Sequence, residues 1–148
     1  MSLIRAIASA ASGLAAQRVR MDVVSNNVAN IDTTRTPEGG PYRRQVVRFA
    51  TGDPALPFAA VIRKFLGGGP TGVVLTQVAT DATTPGRTAY DPAHPDADPQ
   101  TGYVQLPNVD LVQEMTDLTS ANRSYQANVT VLNAAKQMAL RALDITSR

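Results

Sequence analysis

LVQEMTDLTSANRSYQANVTVLNAAKQMALRAL, residues 111–143, contains no proline or glycine, and its Leu111, Met115, Leu118, Asn122, Tyr125, Val129, Leu132, Lys136, Ala139 and Leu143 recur at alternating steps of four and three. Eight of these ten positions are apolar. That spacing forms a narrow stripe along one long helix, of the kind another helix covers. At about 1.5 Å per residue the helix is roughly 50 Å long. Asn108 or Asp110 can cap its start, with Gln113 at capping-box distance from Asp110. Glu114 and Asp117 lie toward the positive end of the helix dipole, and Arg141 and Arg148 toward the negative end.

The opening of the chain repeats the pattern. Leu3, Ile7, Ala10, Leu14, Gln17, Met21, Val24, Val28 and Ile31 keep the same spacing with only Gln17 polar, which predicts a helix from about Ser2 to about Asn30. The periodicity runs through any signal-peptide cleavage point, so the segment reads as a retained helix. Gly13 either lets a neighbouring element come close or sits on the surface. Asn30, Asp32 and the threonines at 33, 34 and 36 are poor helix formers that lead into Pro37, before which the helical conformation is disfavoured.

Between the helices the composition changes in kind. All ten prolines and nine of the ten glycines fall between Pro37 and Pro107. Arg43–Phe49 and Gly72–Val78 carry the best strand signals, Ala59–Phe65 a weaker one, and Gly102–Leu106 a short one. Gly67 to Pro70 reads as a break between strands, and Tyr90–Gly102 as an ordered or semi-extended loop dense in Asp and Pro. The expected fold is therefore mainly α with a β/loop insert. Residues 1–34 and 108–148 form an antiparallel coiled-coil hairpin, and residues 35–107 form the insert at one end. Gln17, Asn122 and Lys136 either fix the register of the seam or lie at a solvated edge.

No residue set points to catalysis or to a cofactor. The chain has no cysteine, which removes disulfides and thiolate metal sites. Its single histidine, His94, lies in YDPAHPDAD beside Asp91, Asp96 and Asp98, but the spacing lacks the acidic ladder, the glycine and the closing glutamate of a calcium loop. One nitrogen ligand does not make a zinc site. The glycines before Pro70 lack the Gly-Lys-Ser/Thr of a phosphate loop. A net charge of +2 from 14 basic and 12 acidic residues argues against nucleic acid, and no run reaches the ~18–20 apolar residues of a membrane span. Residues 1–48 hold seven arginines against three acids, whereas 49–107 hold five aspartates against three basic residues. Contact between copies of the chain is one reading of that asymmetry, with Arg43, Arg44, Tyr90, Asp91, His94, Asp96 and Asp98 as candidate contacts. A solvated surface is the other. From the residues alone, a self-associating coiled-coil module stands beside three alternatives: a basic nucleic-acid-binding module, an adaptor of another secretion or fibre assembly, and a small hydrolase using His94.

SGLAAQRVRMDVVSNNVANIDTTRTPEGGPYRRQ, residues 12–45, resembles the amino-terminal signature of the flagellar rod and hook family of bacterial axial proteins. YDPAHPDADPQTGYVQLPNVDLVQEM from Tyr90 and SANRSYQANVTVLNAAKQM from Ser120 resemble one rod member of that family, in matching order and spacing. The resemblance implies a structural, non-enzymatic subunit without cofactor or small-molecule substrate. Such a subunit is exported without cleavage into the periplasmic part of the basal body. Its implied partners are other rod proteins, copies of itself, the membrane ring and the adaptor toward the hook. It implies no nucleic acid and no membrane insertion. By position it marks Ser25, Asn26, Asn27, Ala29 and Asn30 as an assembly motif. Because amides both donate and accept, Asn27 and Asn30 are expected to bond backbone groups where the first helix stops or meets a neighbouring subunit.

Overall fold

The computed structural model describes residues 3–52 and 72–146. Two helices, α1 (Leu3–Ala29) and α2 (Leu111–Thr146), flank β1 (Gln45–Thr51), β2 (Val73–Thr80), β3 (Thr88–Tyr90) and β4 (Tyr103–Gln105). The mainly α architecture with an inserted β region is as expected. The expected strand at Ala59–Phe65 and the break at Gly67–Pro70 lie outside the described residues. β3 went unread, being only three residues long.

Local chemistry sets the boundaries. Asp110 Oδ1 caps α2, accepting the N–H groups of Val112 at 2.8 Å and Gln113 at 3.3 Å. The capping box does not close, because the Gln113 amide donates forward to Asp117 instead of back to Asp110. Asn108 is not the cap and bonds two other segments, at Arg44 and in the loop of Asp81 and Thr84. α1 ends where Asn30 sends both its backbone N–H and its side-chain Nδ2 to the carbonyl of Asn26, at 3.1 and 2.9 Å.

β1 and β2 pair antiparallel from Gln45↔Thr80 to Thr51↔Val73, with a bulge between Arg48 and Phe49. This ribbon runs back along α1. Gln45 meets Asn27, the Phe49 ring lies 5.1 Å from the Arg20 guanidinium carbon, and the Val73 N–H donates to Ser12 Oγ at 3.1 Å. Ser12, Ala16, Arg20, Val23 and Asn27 lie three or four residues apart on one side of the helix, and Ala16 and Val23 are buried there. β3 and β4 form a second ribbon, with Val104 buried at its centre.

α1 and α2 pack antiparallel. Asn27 bonds Glu114, and a β-carbon at Gly13 would lie 2.8 Å from Asn128 Nδ2, so contacts fourteen residues apart on one helix meet residues fourteen apart on the other. That register sets Leu3 near the level of Met138, and α2 runs on to Thr146.

The buried stripe differs from the expected seam by one residue at alternate positions. Gly13 and Asn27 face α2 in place of Leu14 and Val28, and Glu114, Ala121, Asn128 and Ala135 face α1 in place of Met115, Asn122, Val129 and Lys136. Val24 is buried, and Leu118, Tyr125, Leu132 and Ala139 are half-buried. Leu111, Met115 and Leu143 are 44, 58 and 66% exposed, so these three seam candidates do not serve the α1–α2 contact. The physical reason is size and pairing. Glycine and alanine let the helix axes approach closely, and Asn27 with Glu114 fixes the rotation of both helices so that the bulkier positions turn to the flank. Asn122 and Lys136 lie at the solvated edge, and Gln17 leaves its buried Oε1 without a hydrogen bond.

Candidate functional site

The closed end of the helix pair holds a fully connected polar junction. Asn27, with no exposed surface, makes the four hydrogen bonds its amide permits. Nδ2 donates to Gln45 O at 2.9 Å and to Glu114 Oε2 at 3.1 Å, while Oδ1 accepts from Gln45 N at 2.9 Å and Tyr42 Oη at 3.0 Å. Its amide thus stands beside Gln45 as a strand backbone would. Glu114, also wholly buried, receives Arg44 Nε on Oε1, and Arg44 Nη2 reaches Asp117 Oδ2 at 3.2 Å. A buried carboxylate beside a buried amide is tolerable because each has partners and the half-buried Arg44 supplies the opposite charge. Burial first, and the Glu114 charge second, raise the Tyr42 phenol above its ordinary 10.0, which keeps it a proton donor to Asn27.

Asn108 locks the other side of the same strand start. Its Oδ1 accepts Arg44 N–H at 2.7 Å, and Nδ2 donates to the carbonyls of Asp81 and Thr84 at 3.1 and 3.2 Å. Pro107 and Val109 beside it are buried. Asp81 in turn accepts the N–H and hydroxyl groups of Thr83 and Thr84, and those bonds, the Thr84 hydroxyl foremost, hold its carboxyl far below the usual range.

The proposed motif and contacts separate in space. Ser25, Asn26 and Ala29 are exposed, Asn27 is internal, and Asn30 is half-buried at the helix end. Asn27 and Asn30 bond backbone groups as expected, but the partner of Asn27 is a strand of the same chain. Arg44 is engaged in the junction, whereas Arg43 is exposed.

The loop from Tyr90 to Gly102 is built by its own side chains. Asp91 and Asp98 accept the N–H groups of Ala93 and Gln100, and the Gln100 N–H, then the Thr101 hydroxyl, lower the Asp98 carboxyl. His94 Nδ1 accepts the Asp96 N–H at 3.1 Å, so the histidine closes a turn. Asp96 takes the Thr34 hydroxyl at 2.8 Å and lies 3.8 Å from Arg35. The Tyr90 and Tyr103 rings meet edge-on at 5.3 Å. Gly102, at φ +71°, leaves room for the Tyr90 ring that a β-carbon 2.9 Å away would fill. Among the described residues no three of His, Asp and Glu converge as a metal site.

Tyr42, Asn108, Glu114 and Asp117 were missed as partners. The available signal was Glu114 itself, an acid placed a whole number of heptads from Ala121, Asn128 and Ala135.

A third feature is an apolar flank. Beside the seam, Ile7, Leu14, Met21 and Val28 make this flank apolar on α1, while on α2 Met115 and Val129 alternate with the polar Asn122 and Lys136. The β1–β2 ribbon packs on the opposite flank, where Val23, Gln45, Val47 and Asp117 line one groove.

Known proteins resemble the chain along its whole length. Residues 7–35 match the family described as flagella basal body rod protein, and residues 100–145 match the family described as flagellar basal body rod FlgEFG protein C-terminal. The flagellar basal-body rod protein FlgC of Borreliella burgdorferi is 48% identical over 98% of both chains. That of Bacillus subtilis is 43% identical over 98% of this chain and 99% of its own, and that of Aquifex aeolicus is 33% identical over 97% of each.

Proposed function

This chain belongs to the FlgC family of flagellar basal-body rod proteins and is a structural subunit of the rod, and we propose that it assembles there through the uncovered flank of its helix pair. The observation that carries the reading is the identity to FlgC over both helices and the insert together. The fold agrees with it in one respect. The helix pair buries small residues in its own seam and turns Leu111, Val112, Met115, Met138, Leu140 and Leu143 outward, an arrangement that suits a subunit surrounded by other helices. The subunit packs helically with other rod proteins and copies of itself in the proximal rod. It connects the membrane ring and its adaptor to the distal rod and hook, and carries torque between them. Ser25 and Asn26, with the loop of Tyr90, Asp91, His94, Asp96 and Asp98, supply polar contacts between subunits, and Ala29 lets a neighbour approach beside them. No helix among the described residues is long and apolar enough to cross a membrane. The subunit reaches the periplasmic rod by export.

The test is a reconstruction of the basal body isolated from the native organism. Density for this helix pair within the rod, contacting neighbours through Leu14, Met21 and Met115, is the expected result. A basal body whose rod is complete without the chain overturns it.

A further inference from the structure

We propose that Asn27 and Glu114 are the register key of the helix pair, the contact that selects which residues of α1 and α2 meet. The inference concerns the isolated chain and does not depend on the rod reading.

In most helical hairpins a loop of a few residues fixes the register covalently. Here residues 30–110 separate the helices, so no short loop sets the register, and the start of α2 is held by side-chain bonds alone, those of Asn108 ahead of the helix and of Glu114 within it. The seam itself discriminates poorly. Gly13 faces Asn128, and Ala121 and Ala135 stand one heptad to either side on the same face of α2. A slide of one heptad, about 10.5 Å, would set Gly13 against alanine, which fits the space a glycine leaves.

The closed end does not tolerate that slide. Moving α2 by one heptad brings Ala121 toward Asn27 and withdraws both Glu114 and Asp117 from Arg44, which is anchored by its place beside β1. Asn27 Nδ2 then loses the carboxylate, and a wholly buried acid loses its guanidinium. A buried, mutually bonded polar pair specifies alignment because every other alignment leaves it unsatisfied. The aligned state also sets how far α2 extends beyond Leu3 and which flank residues stand level.

The absence of cysteine makes the test direct. Gly13→Cys paired with Asn128→Cys reports the native register, and Gly13→Cys paired with Ala121→Cys or Ala135→Cys reports a slide of one heptad. Disulfide formation in the otherwise native chain is expected to be at least about tenfold faster for the 13/128 pair, since the other two require a shift of a full heptad. With Asn27→Leu and Glu114→Leu together, a slid pair should come within about threefold of it. Glu114→Gln, whose amide oxygen still accepts from Asn27, should keep the native preference. The proposal is overturned if the double variant retains the tenfold preference. It is equally overturned if the double variant loses its helical circular dichroism, because the pair would then be a folding requirement, or if Glu114→Gln loses the preference.

Discussion

At Asn27 the two helices are joined by an amide with all four of its hydrogen bonds made, whereas fourteen residues away they are joined by Gly13 against the side chain of Asn128 between alanines. The first contact is specific and intolerant of change. The second is permissive and depends on little more than size. The contrast shows that close approach and correct alignment are separate properties, supplied at different places along the same pair of helices. It also explains why the large apolar residues of α2 are left outside: neither contact uses them.

Substitutions along the pair should grade accordingly. Asn27→Asp places an oxygen where Nδ2 now faces Gln45 O and the Glu114 carboxylate, and should cost about 3–5 kcal/mol in chemical denaturation. A loss under about 1 kcal/mol, the worth of one ordinary hydrogen bond, would erase the contrast. At the permissive contact, Gly13→Leu should cost about 1–3 kcal/mol by overpacking against Asn128, while Gly13→Ala should be near neutral. The amide of Asn128 can swing aside and alanine favours the helix. Equal damage from alanine and leucine would show backbone contact instead.

Tyr42→Phe removes one donor to Asn27 and should cost about 1 kcal/mol. Its phenol is raised in the folded state, so the stability it contributes is complete below the ordinary value of 10.0 and is lost as pH rises through the folded value. Denaturation midpoints across that alkaline range should fall more steeply for the native chain than for the phenylalanine variant. Gln17→Leu, which removes a buried acceptor lacking a partner, should raise stability by about 1 kcal/mol. A lower melting temperature would mean that the oxygen is satisfied. Met115→Ser and Leu143→Ser should change the stability of the free subunit by less than about 0.5 kcal/mol, while reducing its incorporation into rods.

Much of this fold could be read from residue order. Proline and glycine placement marks the insert, and the four-three spacing marks both helices within three residues of where they begin and end. The phase of the seam could not be read, because apolar periodicity favours Leu14, Met115 and Val129 over Gly13, Glu114 and Asn128. The pattern reports where apolar residues recur, but not whether they face the partner helix in the same chain or something beyond it. Asn27 was legible as unusual, but its partners were not. Gln45 and Glu114 are brought to it by a strand pairing and a helix crossing that no local spacing encodes. Glu114 itself resembled an ordinary acid in the first turn of a helix.

The Asn27–Glu114 bond joins residues 87 positions apart, with a consequence for the order in which the molecule is made. During synthesis Asn27 is made long before Glu114, and at about 5–20 residues per second the interval is roughly 4–17 s. For that time the β1–β2 ribbon is the partner its own chain can offer the first helix, and the face that meets α2 stays open. Its inward face offers Ala10, Gly13 and Asn27 with Val24, so that face gives a wrong partner little to bury, and the apolar risk during the wait lies on the flank of Leu14, Met21 and Val28.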